Sequence, residues 1–268
     1  MKLNEFFHKN PVFTSEEFAQ YLVSRGEVGP RTQETLLAYY KKTGRILGVK
    51  RGLYAVIPAW ADPDSYPVDP FLVAAKLTSD AVLSYHTALE LHGRAYSVQD
   101  HFTYSASHPL STFTFRSYLF RGAKFPEALC RVGKEGFGVL ITERAGMKIK
   151  VTSLERTLVD VLDRPSLSGS WEEIWRSLES VEFFDLEKVV EYALLLENAT
   201  TAAKVGFFLE QHREPLMVEE HHLKSLNQLR PRQPHYLDRS RRKSGRLVSR
   251  WNLVIPSEVL DRTWEEVL

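Results

Sequence analysis

Apolar residues first recur at helical spacing just after the N-terminus. Thr14 and Glu17 precede Phe18, Tyr21 and Leu22, with Arg25 following and Gly26 closing the run. A Thr with Glu three positions on has the spacing of a capping box, so a helix is predicted to start there. A second helix is predicted over residues 31–43. Pro30 suits its first turn, and Gly44 suits the position just past its end. On its wheel Leu36, Leu37 and Tyr40 share one side, and Arg31, Thr35, Ala38 and Lys42 lie opposite with Thr32 and Gln33 at the start. Glu34 also projects outward. The next stretch, GRILGVKRGLYAV at 44–56, alternates like a strand pair and places Lys50 and Arg51 at its Gly-bounded tip.

Residues 58–70, PAWADPDSYPVDP, carry four prolines and three aspartates without periodicity. They read as a linker, with a domain over 1–62 and a second over 68–268. Asp69-Pro70 then has the chemistry of an N-cap and a first helical turn. AVLSYHTALELHG predicts a short strand running into a helix stopped by Gly93. HFTYSAS, TFTFRSYLF and FGVLITERAGMKIKVTS are rich in β-branched and aromatic residues, with Gly146 in the turn of the last pair. Helical spacing returns over 153–162, with Asp160 and Asp163 expected as surface or capping groups after it. It continues over 171–180, 185–197, 200–213 and 218–228, and RLVSRWNLVIP alternates like one further strand. Strands followed by a run of helices predict an α+β fold.

Composition fits a globular chain: 268 residues, 43% hydrophobic, 26% charged and a net charge of +1. Binding to a polyanion must therefore rest on local patches. Residues 1–60 supply one, with nine Lys or Arg against five Glu. Residues 230–250 supply another, eight cations including Arg241, Arg242, Lys243 and Arg246 against Asp238 alone. The start of the chain lacks the apolar core of a signal peptide, and no run approaches the ~20 residues of a membrane span. A cytoplasmic protein with no membrane contact is the expectation.

Catalytic and cofactor signatures are missing from the sequence. Cys130 is the single cysteine, which removes disulfide and thiolate-metal chemistry and suggests a small core residue. His86 and His92, six apart, do not share a helix face, and the adjacent His221 and His222 should point in different directions. GKEGFG at 133–138 matches no phosphate-binding loop, and Ser84 beside Tyr85 and His86 is not a nucleophile elbow. The expectation is a non-enzyme without cofactor or metal.

Helix, short turn, helix and basic-tipped hairpin is the order of a winged helix-turn-helix. Its second helix enters the major groove of double-stranded DNA, and its hairpin follows the backbone. Arg31, Thr32, Gln33 and Thr35 are then the candidate base readers. Lys41, Lys42, Lys50 and Arg51 are the phosphate contacts, and Arg241, Arg242, Lys243 and Arg246 form a further candidate track along the backbone. The rival expectations are a DNA-directed nuclease and a protein-interaction scaffold built on the same hairpin.

The order TSEEF, GPRT, YYKKTGRILGVKRGLYAV, SYHTALELHG, KVTSLERTLVDVLDRP and AAKVGFFLEQ resembles the AbiEi family of abortive-infection type IV antitoxins and transcriptional regulators, from about residue 12 to 215. The resemblance implies an N-terminal winged helix that represses the protein's own promoter and a larger C-terminal antitoxin domain. It places the recognition helix at 31–43 and the wing at 46–57, and it implies no catalytic residues. A nucleotidyltransferase-like toxin is the implied functional partner, with or without direct contact. Binding at an inverted repeat, as a homodimer or cooperatively, follows by analogy with other helix-turn-helix proteins.

Overall fold

A computed structural model describes residues 2–26, 30–109, 111–238 and 245–265. The fold is α+β, with twelve α-helices and three β-sheets among these residues. None of the helices is long and apolar enough to cross a membrane. The chain divides into two compact units, residues 1–83, 100–123 and 141–151 in one and 84–99, 124–140 and 152–268 in the other. The Pro-rich stretch 58–70 lies inside the first.

The first unit begins with α1 (Lys2–Lys9), β1 (Val12–Thr14), α2 (Ser15–Ser24), α3 (Pro30–Lys42), β2 (Ile46–Lys50) and β3 (Leu53–Val56). The capping box forms as its spacing predicts. The Glu17 N–H donates to Thr14 Oγ1 at 3.2 Å, and the Thr14 N–H donates to the Glu17 carboxylate at 2.9 Å. With the start of α2 fixed, Phe18 and Leu22 fall on its buried side. They meet Phe6, Phe7, Phe13, Leu37 and Ile46 in a core rich in aromatic rings. Phe6 and Phe13 pack edge to face at 5.2 Å, a favoured geometry. Strand β1 adds to the hairpin in the order β1-β3-β2, with Val12 opposite Ala55.

Helix α4 (Pro70–Ala75) starts at Asp69, whose carboxylate accepts from the Phe71 N–H at 3.0 Å and from Arg144 Nε at 2.6 Å. A six-stranded sheet follows, built from β4 (Val82–Leu83), β5 (His101–Ala106), β6 (Phe113–Phe115), β7 (Tyr118–Lys124), β8 (Val139–Arg144) and β9 (Met147–Thr152) in the order β6-β7-β5-β4-β9-β8. Strand β9 alternates inward Met147, Ile149 and Val151 with exposed Lys148 and Lys150.

The second unit holds α5 (His86–Leu91), α6 (Glu127–Arg131), α7 (Leu154–Asp163), α8 (Trp171–Glu179), α9 (Leu186–Leu195), α10 (Ala199–Gln211), α11 (Glu220–Gln228), β10 (His235–Tyr236), β11 (Gly245–Val248), β12 (Leu253–Pro256) and α12 (Ser257–Leu260). Side chains of Ser153, Ser170, Asp185 and Asn198 cap α7 to α10, each accepting from a backbone N–H of the first turn. Three expectations are corrected in this unit. RLVSRWNLVIP is two antiparallel strands, β11 and β12, because Trp251 turns its ring fully into the core and Asn252 adopts φ +48. A Cβ on Gly206 would fall 2.2 Å from that ring, so only glycine leaves it room. Asp160 is not a surface group: it lies inside α7, buried between Arg156 Nε at 3.3 Å and the Tyr192 hydroxyl at 2.6 Å. Cys130 is exposed at the end of α6 rather than in the core.

Candidate nucleic-acid interface

Helix α3 buries one described side chain, Leu37, with Leu36 and Tyr40 half-buried beside it. Arg31, Thr32, Thr35, Ala38 and Lys42 are all exposed, as the wheel predicts, and so is Glu34. The Thr35 hydroxyl donates to the Arg31 carbonyl at 2.7 Å, which leaves its oxygen free only as an acceptor. Gln33 differs from its neighbours. It is half-buried, and its amide nitrogen donates to the Ser15 carbonyl at 2.6 Å. In this arrangement Gln33 ties α3 to the start of α2 rather than presenting an amide edge outward.

The hairpin turns through Arg51 and Gly52, the latter at φ +80, where glycine carries no side-chain penalty. Lys50 sits opposite Leu53, with a register shift after Gly48. Ser15 reaches this turn as well, its N–H donating to the Gly52 carbonyl at 2.8 Å. One residue therefore joins the hairpin tip, the first turn of α2 and the first turn of α3. Arg51 is exposed. Lys50 is half-buried, and desolvation pulls its ammonium below the ordinary lysine range. Lys41 behaves otherwise: its ammonium lies 5.3 Å from the Tyr54 ring centroid, over strand positions that Gly48 leaves open.

Of the second basic segment, Arg241, Arg242 and Lys243 lie outside the described residues. Arg246 pairs with the Asp261 carboxylate. Arg250 is shared between Glu210 at 2.8 Å and Glu220 at 2.7 Å, and Arg230 donates to the Ser249 and Arg250 carbonyls, so of the four described cations of the segment only exposed Arg232 has no partner among the described residues.

His86, His92, His221 and His222 also have protein partners. His86 meets Glu173 at 3.0 Å, and Glu173 accepts further bonds from the Ser97 N–H, Ser97 Oγ and Ser177 Oγ. Burial opposes the Glu173 carboxylate, but these donors outweigh it and hold its pKa below the usual range. His92 Nε2 meets the Thr152 carbonyl at 2.8 Å. His221 and His222 do not diverge as expected. Both Nε2 atoms reach one oxygen of Glu187, at 2.8 and 3.2 Å, because that carboxylate projects from the first turn of α9 to the first turn of α11. His222 Nδ1 accepts from the Glu219 N–H at 3.1 Å, which assigns the ring proton to Nε2 and makes it a donor to Glu187. The trio as arranged is a hydrogen-bonded clasp between two helices. Tyr85, just before α5, holds φ +58 and is buried. Desolvation, with the Asp160 carboxylate adding to it, pushes its phenol above the ordinary tyrosine range.

No family model matches the chain, and no curated protein does. The crystal structure of the RV2827C protein from Mycobacterium tuberculosis is similar to it, with a TM-score of 0.63 over 97% of this chain and 92% of that one. Identity between the two is 16%, so the likeness shows a shared fold and nothing further.

Proposed function

We propose that the chain is a sequence-specific DNA-binding transcriptional repressor of its own operon, the antitoxin of a toxin–antitoxin pair. Helices α2 and α3 with the β2–β3 hairpin act as a winged helix-turn-helix. Arg31, Thr32 and Thr35 read base edges, and Lys42, Lys50 and Arg51 hold phosphates. The observation that carries this reading is the Ser15 junction, which fixes the hairpin tip against the first turn of α3. A groove-reading helix and a backbone-following hairpin must keep one register, and two hydrogen bonds to a single residue supply it. Gln33 serves as the strut of this arrangement. The antitoxin role rests on the resemblance to the AbiEi family, with a nucleotidyltransferase-like toxin as its partner.

Fluorescence anisotropy with the upstream promoter and a scrambled duplex, across a salt series, tests the DNA reading. Promoter-selective binding that weakens steeply as salt rises supports it. Absence of binding to either duplex at low salt sinks it. Co-expression with the product of the neighbouring open reading frame tests the antitoxin role: rescue of growth supports it, and unrelieved toxicity rejects it.

A further inference from the structure

Four of the five tryptophans are buried or half-buried, whereas Trp60 is 84% exposed. Its backbone is nonetheless pinned within the first unit. The Ala61 N–H donates to the Pro58 carbonyl at 3.0 Å, which makes 58–61 a turn with Trp60 at its third position. A second turn is closed by the Tyr66 N–H on the Asp62 carbonyl at 2.9 Å, and Arg116 donates to the carbonyls of Pro63 and Tyr66. Pro63 in turn lies against Gly44, where a Cβ would fall 2.8 Å from its ring. The Trp60 ring meets Tyr66 edge to face at 6.1 Å. A large apolar ring held on a fixed backbone in water has much of its ordering cost met before any partner arrives.

Beside this ring lies a cavity of about 260 Å³, walled by Phe7 and His8 of α1, Arg45 and Val56 at the base of the hairpin, Pro58 and Tyr66. A cavity of about 150 Å³ admits a benzene ring, so this one has room for an indole. Tyr66 is both the neighbour of Trp60 and a wall of the cavity, which makes knob and hole adjacent on one surface. Charge is divided in the same way. Asp62 and Asp64 follow the knob, and the exposed Asp64 carboxylate has no partner among the described residues. The cations His8 and Arg45 belong to the hole.

We propose that this surface docks a second copy of the chain, each Trp60 entering the other copy's cavity about a two-fold axis. The same operation brings each Asp64 towards the other copy's His8 and Arg45. Adjacent knob and hole with opposite charge are the self-complementarity that an isologous contact requires. The two indoles supply about 300–500 Å² of the buried surface, against the ~1,200 Å² at which stable interfaces begin, so the pairing is weak and concentration-dependent. Arg45 and Val56 lie at the opposite end of the strands from the tip at Arg51, about 15 Å away at ~3.3 Å per residue, so docking leaves the tip open. The pairing does not rest on the DNA reading. Where both hold, it supplies the two-fold symmetry that an inverted repeat matches.

Sedimentation velocity of the full chain without DNA, over a concentration series, is expected to show a monomer–dimer equilibrium. Trp60→Ala should weaken it by about 30-fold or more, the effect of losing an interface anchor. Phe183→Ala, which removes a ring exposed in the second unit, should leave it unchanged. Asp64→Lys should also weaken the dimer, most of all at low salt. The proposal is overturned if the full chain stays monomeric up to about 1 mM. It is equally overturned if Trp60→Ala dimerises as the full chain does, or if Phe183→Ala loses as much. Matching thermal melts establish that the exposed substitutions left the fold intact. Because no DNA is present, a monomer here removes only this docking surface, and absence of promoter binding removes only the DNA reading.

Discussion

Gln33 Nε2 and the Ser15 N–H work as a pair across one residue: the first donates to the Ser15 carbonyl at 2.6 Å, and the second donates to Gly52 at 2.8 Å. Removing the Gln33 amide takes one anchor from the start of α3 and leaves the hairpin anchor in place. Gln33→Ala is expected to cost about 1 kcal/mol of stability, the net worth of one such bond. Its melting temperature should fall by about 2–4 °C. It should also weaken promoter and scrambled DNA in equal proportion. Loss of promoter preference with unchanged stability would show instead that Gln33 reads a base.

Arg31 has the opposite character. It is exposed, carries no partner among the described residues and sits in the first turn of α3. Arg31→Ala is expected to cost about 1–3 kcal/mol on the promoter and far less on the scrambled duplex, because a bidentate base contact is sequence-specific. Anisotropy on both duplexes decides it. Equal loss on the two would make Arg31 a phosphate contact.

The parts of this arrangement that are local were legible in the sequence, and the parts that depend on distant residues were not. The Thr14–Glu17 box, the helix over 31–43 and the hairpin about Gly52 each follow from spacing within a dozen residues. Short α1 and β1 lack such a signature, because Phe6, Phe7, Phe13 and Val12 become core only once α2 and the hairpin cover them. Gln33 looks like any outward polar residue on a wheel; its bond to Ser15 spans 18 positions. His221 and His222 were expected to diverge, yet a carboxylate one helix away gathers both.

Glu16 offers a test in the direction of gain. It is exposed at the start of α2, next to Ser15, where it repels a phosphate approaching the hairpin tip. Glu16→Gln keeps the size and removes the charge. Binding to both duplexes is expected to tighten by a few-fold at low salt, with the gain fading as the Debye length shrinks from about 10 Å at 0.1 M to about 3 Å at 1 M. An affinity that does not move at low salt would mean that DNA does not approach this side of α2.

Arg156 anchors the second unit. Fully buried, it bonds Asp160 at 3.3 Å and the carbonyls of Glu135 and Phe137 at 2.7 Å each. Burial drives the Asp160 carboxyl upward despite Arg156 and Tyr192, so the pair holds only while both members are present. Arg156→Met is expected to destabilise by about 3–5 kcal/mol, since it strands an acid and two carbonyls. Arg156→Met with Asp160→Leu should cost less than the two single changes together. Chemical denaturation of the four proteins measures the coupling, and strict additivity would show that the residues act independently.

The clasp between α9 and α11 makes stability depend on pH in a predictable sense. The Glu187 carboxylate hydrogen-bonds His221 at 2.8 Å and lifts its pKa above the ordinary 6.5, with the Glu219 carboxylate at 3.3 Å on the other ring nitrogen. Folding therefore favours the protonated ring. The contribution is fully present below the unfolded histidine pKa of about 6.5 and is lost as pH rises through the higher folded value. Glu187, in turn, is held below the usual carboxylate range by His221, so the pair persists into mild acid. Melts of the full chain and of Glu187→Gln should differ most near pH 5.5 and converge at alkaline pH. An NMR titration of His221 should show its pKa dropping in Glu187→Gln. If the pKa stays where it is, Glu187 is not the group that holds the proton.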